Sequence, residues 1–326
     1  MNIGNFELNG YAALAPMAGV TDRAFRELCM EFGSAYCTSE MVSSKGLIVH
    51  DRKSELLINM SEKERPCEVQ IFGNDPAEMA LAAKKAEQTG CFAVDINMGC
   101  PAPKVAAHGS GSALMKNPEL AGEITNACVN AVGIPVTCKI RSGWDEDSIN
   151  AVETAKILEK AGASAITVHG RTRRQMYAPP VNLDIIRRVK EAVNIPVIGN
   201  GDIFDCRSAL EMYEKTKCDF AAIGRGALGN PWIFSRINSF FETGEIPAPP
   251  GIEERMTVMI NHIVQLCEYK GDYVGIREAR KHAGWYIKGI RGAASFRREI
   301  GSLESTDDLR RLAENVIKSV MNEGEN

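Results

Sequence analysis

A cysteine sits between a glycine and a proline at the end of a short apolar run, in FAVDINMGCPAPK, residues 92–104. Phe92, Ala93 and Val94 alternate into Asp95, Ile96 and Asn97, and the pattern breaks at Gly99-Cys100-Pro101, with a second proline at 103. This reads as a buried strand ending in a rigid loop. A thiol fixed at the carboxyl end of a strand is a candidate acid, nucleophile or metal ligand. Most cysteines are small buried hydrophobes. Gly99 and Pro101 are poor company for a core side chain, and they set Cys100 apart from the other nine cysteines.

The elements that must hold this loop repeat along the chain. Strand patterns fall at Ala12–Pro16, Ala35–Ser39, Glu68–Phe72, Phe92–Asn97, Pro135–Ile140, Ala165–His169, Pro196–Gly199 and Phe220–Ile223. Helical patterns run from Asp22 to Phe32 and from Ala77 to Gln88, the second opened by Asn74-Asp75-Pro76, and others lie near 118–131, 148–161, 183–193 and 205–215. Alternation of this kind requires a parallel sheet, and eight units favour an α/β fold of the (β/α)8 TIM-barrel type. A doubly wound sheet is the alternative, but no G-x-G-x-x-G follows an early strand. Beyond the proline-rich stretch ETGEIPAPPG (242–251), Met256, Met259, Ile260, Ile263, Val264 and Cys267 recur at helical spacing. The expected division is therefore a barrel over 1–242 and an all-helical C-terminal domain over 243–326.

Chemistry in a parallel barrel gathers at the carboxyl ends of its strands. The polar or glycine-rich groups there are Met17-Ala18-Gly19, Gln70, Asn97 with Cys100, Lys139 with Arg141, His169 with Arg171, Asn200-Gly201-Asp202, and Gly224-Arg225-Gly226. Any one of them could be structural, but together they describe a polar pocket. The turns after the last two strands offer backbone N–H groups where such barrels hold a phosphate, and Arg225 adds charge. A phosphate subsite beside Gln70, Lys139 and His169 suits FMN, with Lys139 placed to stabilise an anionic reduced flavin. Reducing an electron-poor C=C bond takes a hydride and a proton. A thiol with a reference pKa of about 8.5 is mostly protonated near neutrality and can give that proton. Asn97 would orient a substrate carbonyl, and the same set could also run in the oxidative direction.

The composition sets further bounds. A net charge of −4 gives no overall reason to expect nucleic acid, and the ten cysteines show no C-x-x-C pair or zinc-like spacing with the five histidines. Reduced thiols and the lack of a signal-peptide pattern or membrane-length apolar run point to a cytoplasmic protein with no membrane contact and no metal. Nothing demands an obligate protein partner, and a monomer is expected. Local charge tells a different story. Between 277 and 298, seven basic residues (Arg277, Arg280, Lys281, Lys288, Arg291, Arg297 and Arg298) face one acid, Glu278, with Trp285 and Tyr286 among them. Arg171, Arg173 and Arg174 form a second cluster near the barrel mouth. Such a face is often only solvated, but the concentration and the aromatic interleaving fit a polyanion bound by phosphate contacts and stacking.

Eight motifs in this order resemble the bacterial tRNA-dihydrouridine synthases, most closely their B subfamily. They are LAPMAGVTDRAFR (14–26), QIFGNDP (70–76), DINMGCPAPKV (95–105), CKIRSGWD (138–145), VHGRTRRQMY (168–177), GNGDI (199–203), GRGALGNPW (224–232) and REARKHAGWYIKG (277–289). The resemblance covers nearly the whole chain, with no departure at a functional position. It implies an enzyme that uses NADPH and FMN to reduce D-loop uridines of tRNA to 5,6-dihydrouridine. By position, Pro16, Met17, Ala18, Gln70, Lys139, Asn200, Gly201, Asp202, Gly224 and Arg225 would bind FMN, with His169 against it. Cys100 would be the proton donor, and Asn97 and Arg171 would hold the uracil. The helical domain would grip tRNA through the Arg277–Arg298 region, a role assigned to Arg277, Arg280, Lys281, Lys288, Arg291 and Arg298. Two rivals share some of these features: a flavin barrel acting on a free pyrimidine, and a non-catalytic RNA-binding module on a degenerate barrel.

Overall fold

In the computed structural model, which describes residues 1–324, a closed parallel barrel carries a helical C-terminal region. A short antiparallel hairpin comes first, β1 (Asn2–Ile3) with β2 (Phe6–Glu7). The barrel staves are β3 (Ala12–Leu14), β4 (Cys37–Thr38), β6 (Cys67–Phe72), β7 (Ala93–Met98), β8 (Val136–Arg141), β9 (Ala165–His169), β10 (Val197–Asn200) and β11 (Phe220–Ile223), and β5 (Val42–Ser43) pairs alongside β6. Pairing of Cys37 with Cys67 closes the ring between β4 and β6. The expected barrel and all eight of its strands are present, although the second shrinks to two residues.

Alternation along the strands separates two environments. Val69 and Ile71, Val94 and Ile96, and Val136, Cys138 and Ile140 pack outward beneath the helices in the main hydrophobic core. Glu68 and Gln70, Asp95 and Asn97, and Thr137, Lys139 and Arg141 occupy the intervening positions, which face the barrel axis. Register then sets them in layers: Gln70 beside Asp95, Asp95 beside Thr137, Asn97 beside Lys139, and Arg141 beside His169. Below this polar layer, Tyr36, Phe92, Phe220 and Ile198 form a smaller apolar cluster with Ile3 and Leu8 of the hairpin segment. The hairpin thus seals the amino-terminal end and leaves the opposite mouth for chemistry.

Several of the helices between the strands start on a residue whose side chain caps them. Asp22 accepts the Phe25 N–H at the start of α1 (Arg23–Glu31). Asp75 then Pro76 open α4 (Pro76–Glu87), and Asn117 then Pro118 open α6 (Pro118–Val129). Two short helices between them, α2 (Ser44–Ile48) and α3 (Arg52–Ile58), were not expected from the apolar pattern, and a single turn, α5 (Pro103–Ala106), follows the Cys100 loop. The set continues with α7 (Ala151–Lys160), α8 (Leu183–Ala192), α9 (Cys206–Thr216) and α10 (Ile233–Thr243).

After the stretch 244–251 come α11 (Ile252–Lys270), α12 (Asp272–Tyr286), α13 (Ala293–Gly301) and α14 (Thr306–Gly324). Met256, Met259, Ile263, Ile276, Tyr286, Leu309 and Val316 form their core, which also takes in Trp232 and Ala24 from the barrel side. The junction itself is polar and aromatic. Phe25 stacks on His262 at 5.4 Å, His262 meets His282 at 4.7 Å, and the Asp22 carboxylate lies 3.7 Å from both Lys270 and His282. No helix among the described residues is long and apolar enough to cross a membrane.

Candidate active site

One cavity of about 550 Å³ opens at the carboxyl end of the barrel. Its lining includes Pro16, Met17, Ala18, Gln70, Asn97, Cys100, Lys139, His169, Asn200, Gly201, Asp202, Gly224 and Arg225, which are the barrel residues singled out in the sequence except Arg171. They come together because each lies at or just beyond the end of a strand, the one place in a closed parallel barrel where consecutive units converge.

On one wall, Asn97 fixes the cysteine loop. Its Oδ1 accepts the N–H groups of Cys100 at 2.9 Å and Gly99 at 3.2 Å, and its Nδ2 donates to Gln70 Oε1 at 2.8 Å. The carboxamide oxygen is then filled, and one Nδ2 hydrogen remains for a ligand. Burial pushes the Cys100 thiol above its ordinary value, against opposing pulls from the Ala102 N–H and Arg141. The group is a protonated thiol at neutral pH, as an acid must be.

The floor is cationic. Lys139 donates to Asn200 Oδ1 at 2.9 Å and keeps two further hydrogens, and Asn200 Nδ2 is tied to the Ala222 carbonyl at 2.8 Å. Burial pulls Lys139 down to about 8, helped by Arg141 and opposed by Asp95. His169 is held well below its ordinary value by burial and then by Lys139, Arg141, Arg171 and Arg225, so its ring is neutral. Arg171 Nη1 lies 3.3 Å from His169 Nε2. A guanidinium only donates, which puts the ring's proton on Nδ1.

Arg171 itself does not line the cavity. Its side chain is buried, with Nε on the Pro179 carbonyl at 2.6 Å and Nη2 on Asp202 Oδ2 at 2.5 Å. Expected against a uracil, it instead braces His169 and Asp202 from behind. Asp202 collects the Val181 N–H at 3.0 Å and Arg225 Nη2 at 2.9 Å as well, and Arg171 keeps its carboxyl low against the opposing effect of burial. The turn that presents it has left-handed backbone at both Gly201 (φ 131°) and Asp202 (φ 51°). A Cβ at Gly201 would lie 2.7 Å from Val181 Cγ2, and one at Gly226 would lie 2.0 Å from the Ile203 carbonyl oxygen, so glycine is required at both places.

Several lining groups were given no role in the sequence. Arg141, named there beside Lys139 as a strand-end group, follows it on the same face of β8, with Nε on the Gly99 carbonyl at 2.7 Å and Nη1 on the Thr172 carbonyl at 2.9 Å. Met176, Tyr177 and Phe204 are exposed at the rim, and the Arg225 guanidinium lies 4.7 Å from the Tyr177 ring. They come from loops, where no periodicity points to a face.

The basic C-terminal residues do not share one fate. Arg280 donates to the Leu303 carbonyl through Nε and Nη2, and Lys281 donates to the Gly19 carbonyl. Arg277 lies over the Tyr273 ring at 3.6 Å and is exposed, as are Lys288, Arg291, Arg297 and Arg298. Trp285 is half-buried, against His282 at 5.1 Å.

Comparison with known proteins decides the family. The dihydrouridine synthase family model matches residues 13–322. The chain belongs to this family. It is 44% identical over 308 residues to tRNA-dihydrouridine synthase B of Pseudomonas aeruginosa, covering 94% of this chain and 92% of that one. It is also 44% identical to tRNA-dihydrouridine synthase B of Proteus vulgaris, with 94% and 95% covered, and 43% identical to a probable tRNA-dihydrouridine synthase of Rickettsia conorii, with 98% and 97% covered. The B-subfamily resemblance therefore holds, and the dihydrouridine synthase is a flavin oxidoreductase by family. Among solved structures, an old yellow enzyme homologue from Zymomonas mobilis matches with a TM-score of 0.54 at 13% identity, covering 78% of this chain and 94% of that one. Histamine dehydrogenase from Rhizobium sp. 4-9 matches at 0.56 and 13% identity, covering 81% of this chain and 50% of that one. At that identity both show the barrel alone.

Proposed function

We propose that this protein reduces D-loop uridines of tRNA to 5,6-dihydrouridine in the cytoplasm, with FMN as its cofactor, NADPH as electron donor and Cys100 as proton donor. The observation that carries this reading is the convergence, in one cavity, of a protonated thiol, a free Asn97 N–H and the Lys139–Asn200 pair. The residues fit the flavin chemically. Gln70 keeps one unused amide hydrogen and lone pair, Lys139 keeps two hydrogens, and the Asn200–Asp202 and Gly224–Gly226 turns, both on the cavity wall, would offer backbone N–H groups to a phosphate. Pro16, Met17 and Ala18 would flank the ring system. Bound FMN, once reduced, supplies the hydride.

The chain's own residues do the rest. Asn97 Nδ2 donates to a uracil carbonyl and orients the ring. Cys100 Sγ gives its proton to the carbon that the hydride does not take, and general acid catalysis of this kind contributes about 10²–10⁴-fold. Arg171 fixes the His169 tautomer and the Asp202 carboxylate beside the phosphate turn. The target base must leave its stack to enter the cavity, which costs least in a loop. Residues 243–326 form the tRNA-binding domain. Its outward cations Arg277, Lys288, Arg291 and Arg298 contact phosphates, whereas Arg280 and Lys281 hold the binding surface in shape.

The test is anaerobic. The purified protein is reduced with NADPH, and flavin absorbance is followed as unmodified tRNA transcript or free uracil is added. Reoxidation by tRNA alone is expected. Reoxidation by uracil but not tRNA would move the substrate to a small pyrimidine, and no flavin spectrum would remove the cofactor assignment. Cys100→Ala should slow reoxidation by at least about 100-fold while flavin and tRNA still bind. Parent-like turnover in that variant would take Cys100 out of the mechanism.

A further inference from the structure

Beneath the cavity lie two carboxyl groups that the proposed chemistry leaves unused. Glu68 and Asp95 are both buried inside the barrel, at 4% and 3% exposure, on neighbouring strands. Thr38 Oγ1 donates to Glu68 Oε2 at 2.9 Å. Thr137 Oγ1 lies 2.8 Å from Asp95 Oδ1 and 3.2 Å from Glu68 Oε1. Gln70 Nε2 donates to Asp95 Oδ2 at 2.6 Å.

Counting hydrogens locates a proton. Thr137 has one hydrogen and sits between two carboxyl oxygens, so one of those contacts needs its hydrogen from the carboxyl side. The shorter contact takes the Thr137 hydrogen to Asp95, and a proton on Glu68 Oε1 completes the other. The pair then carries one negative charge, on Asp95, which the Lys139 cation can balance. Two anions here would leave one buried and unmatched. Burial and then repulsion from Asp95 raise Glu68 to about 8, whereas burial raises Asp95 against the opposing pulls of Gln70, Thr137 and Lys139, in agreement with a proton on Glu68.

The anion fixes everything above it. A carboxylate only accepts, so Gln70 must turn its Nε2 toward Asp95 and its Oε1 toward Asn97. Asn97 must then point Nδ2 at Gln70 and Oδ1 at the N–H groups of Gly99 and Cys100. Reversal of either amide would set donors against donors at the cysteine loop. We propose that Asp95 is a positioning residue for Cys100: as the ionised member of a pair that holds a single proton with Glu68, it sets the direction of each hydrogen bond through Gln70 and Asn97 to the Cys100 N–H. The catalytic consequence rests on the reading of Cys100 as proton donor. The shared proton does not.

Four variants test it. Glu68→Gln replaces a neutral carboxyl with a neutral amide that can still accept from Thr38 and donate to Thr137, and its rate should stay close to the parent. Asp95→Leu removes the acceptor that orients Gln70, and the maximal rate of flavin reoxidation by tRNA should fall by about 100-fold, as displacement of a reacting group does, with KM for tRNA unchanged. Asp95→Asn keeps an oxygen for Gln70 and turns its NH2 to Thr137, whose hydrogen goes to Glu68; Glu68 then gives up its proton and carries the single charge, so most of the rate should be kept. Adding Glu68→Gln to Asp95→Asn removes that charge and leaves the Thr38 hydrogen facing an NH2, so the loss should return. A parent-like Asp95→Leu, or a double variant as fast as Asp95→Asn, would overturn the proposal. Infrared difference spectra at neutral pH give a readout free of the reaction and of the folding of Asp95→Leu. Glu40 is a further buried carboxyl that burial raises, and it serves as the control. A protonated-carboxyl C=O band present in the parent and in Glu40→Gln but missing in Glu68→Gln is expected, and no such difference would remove the shared proton.

Discussion

Charges inside the barrel and charges on the C-terminal helices live under opposite rules. Arg26, Glu64, Asp95 and Arg171 are buried, and each is held by identified partners. Arg277, Lys288, Arg297 and Arg298 are exposed on the C-terminal helices and the turn between two of them, away from a core that is apolar apart from His262 and His282. Desolvation is the cause. A charge inside the barrel without a partner would cost several kcal/mol, so every one is fixed in place and can in turn fix a neighbour. On the helix surface water already satisfies the cation, which stays available to a polyanion. The barrel therefore uses charge for geometry, and the proposed tRNA grip of the helical region would use it for affinity.

Removing a partner inside the barrel should give the largest effect. Arg26 is 2% exposed and donates to Glu64, which is fully buried, and to the Thr21 carbonyl at 2.8 Å. The Cys37 and Cys67 thiols also lie within 4.8 Å of the Glu64 carboxylate, a cluster with metal-ligand chemistry in which Arg26 already supplies the positive charge. Glu64→Gln leaves that guanidinium uncompensated and should destabilise the protein by about 3–5 kcal/mol in chemical denaturation. Loss of less than about 1 kcal/mol would break the contrast, since it would put this pair among surface ones.

The outward cations should behave the other way. Lys288→Glu with Arg298→Glu should leave the unfolding midpoint nearly unchanged, weaken tRNA binding and make its salt dependence shallower, by about one unit of slope for each phosphate no longer neutralised. Filter binding across a salt series would show it. Unchanged tRNA affinity would remove these cations from the interface, and an equal loss of stability would show that they too are structural.

The same contrast decides what could be read from the sequence. Strand alternation and the residues closing each strand placed the barrel and nearly all of its cavity, because a closed sheet leaves each position one of two directions. Glu68 and Asp95 were legible by the same rule, as polar residues at inward positions of CEVQIF and AVDINM, yet their partnership depends on cross-strand register that no single strand carries. Helical charge was harder. Seven cations in a short run say nothing of which face each occupies, so Arg280 and Lys281 looked like Arg277 and Arg298, although the fold turns the first two onto carbonyl oxygens. Arg171 is a related case: adjacency to His169 located its loop but not the Asp202 carboxylate with which its side chain pairs.

The junction between the two regions obeys the barrel's rule, and pH exposes it. His262 is buried beside His282, Asp22 and Phe25, and burial followed by His282 pulls it from 6.5 to about 3, against the attraction of Asp22. The folded protein therefore holds this imidazole neutral where the unfolded chain would protonate it. Its contribution is complete above pH 6.5 and is lost as pH falls toward 3, at up to about 1.4 kcal/mol per pH unit. His169 titrates in the same sense. The Asp22 carboxyl is held low mainly by His282 against burial, so its own contribution is lost only below pH 3.8 and leaves this window clear. His262→Phe, which keeps the stack on Phe25, should flatten the fall in stability between pH 6.5 and 4. Equal slopes in parent and variant would mean that the junction admits the proton at no cost.

Lys281 should give a small effect on stability and the most pointed one on function. It leaves the C-terminal helix α12 and donates to the Gly19 carbonyl, while the buried Glu40 carboxylate accepts the Gly19 N–H. Residues 16–18 of the same loop line the cavity, so this lysine joins the two regions at the wall where the flavin would lie. If its charge acts as the barrel charges do, Lys281→Met should cost only about 1 kcal/mol in stability, because the side chain is half-exposed. It should loosen flavin binding, read as a raised flavin dissociation constant, and leave the salt slope of tRNA binding as it was. If its charge acts as the surface cations do, the slope should fall by about one and flavin affinity should hold. The two readouts move in opposite cases, so this one substitution tells which rule governs a residue that belongs to both regions.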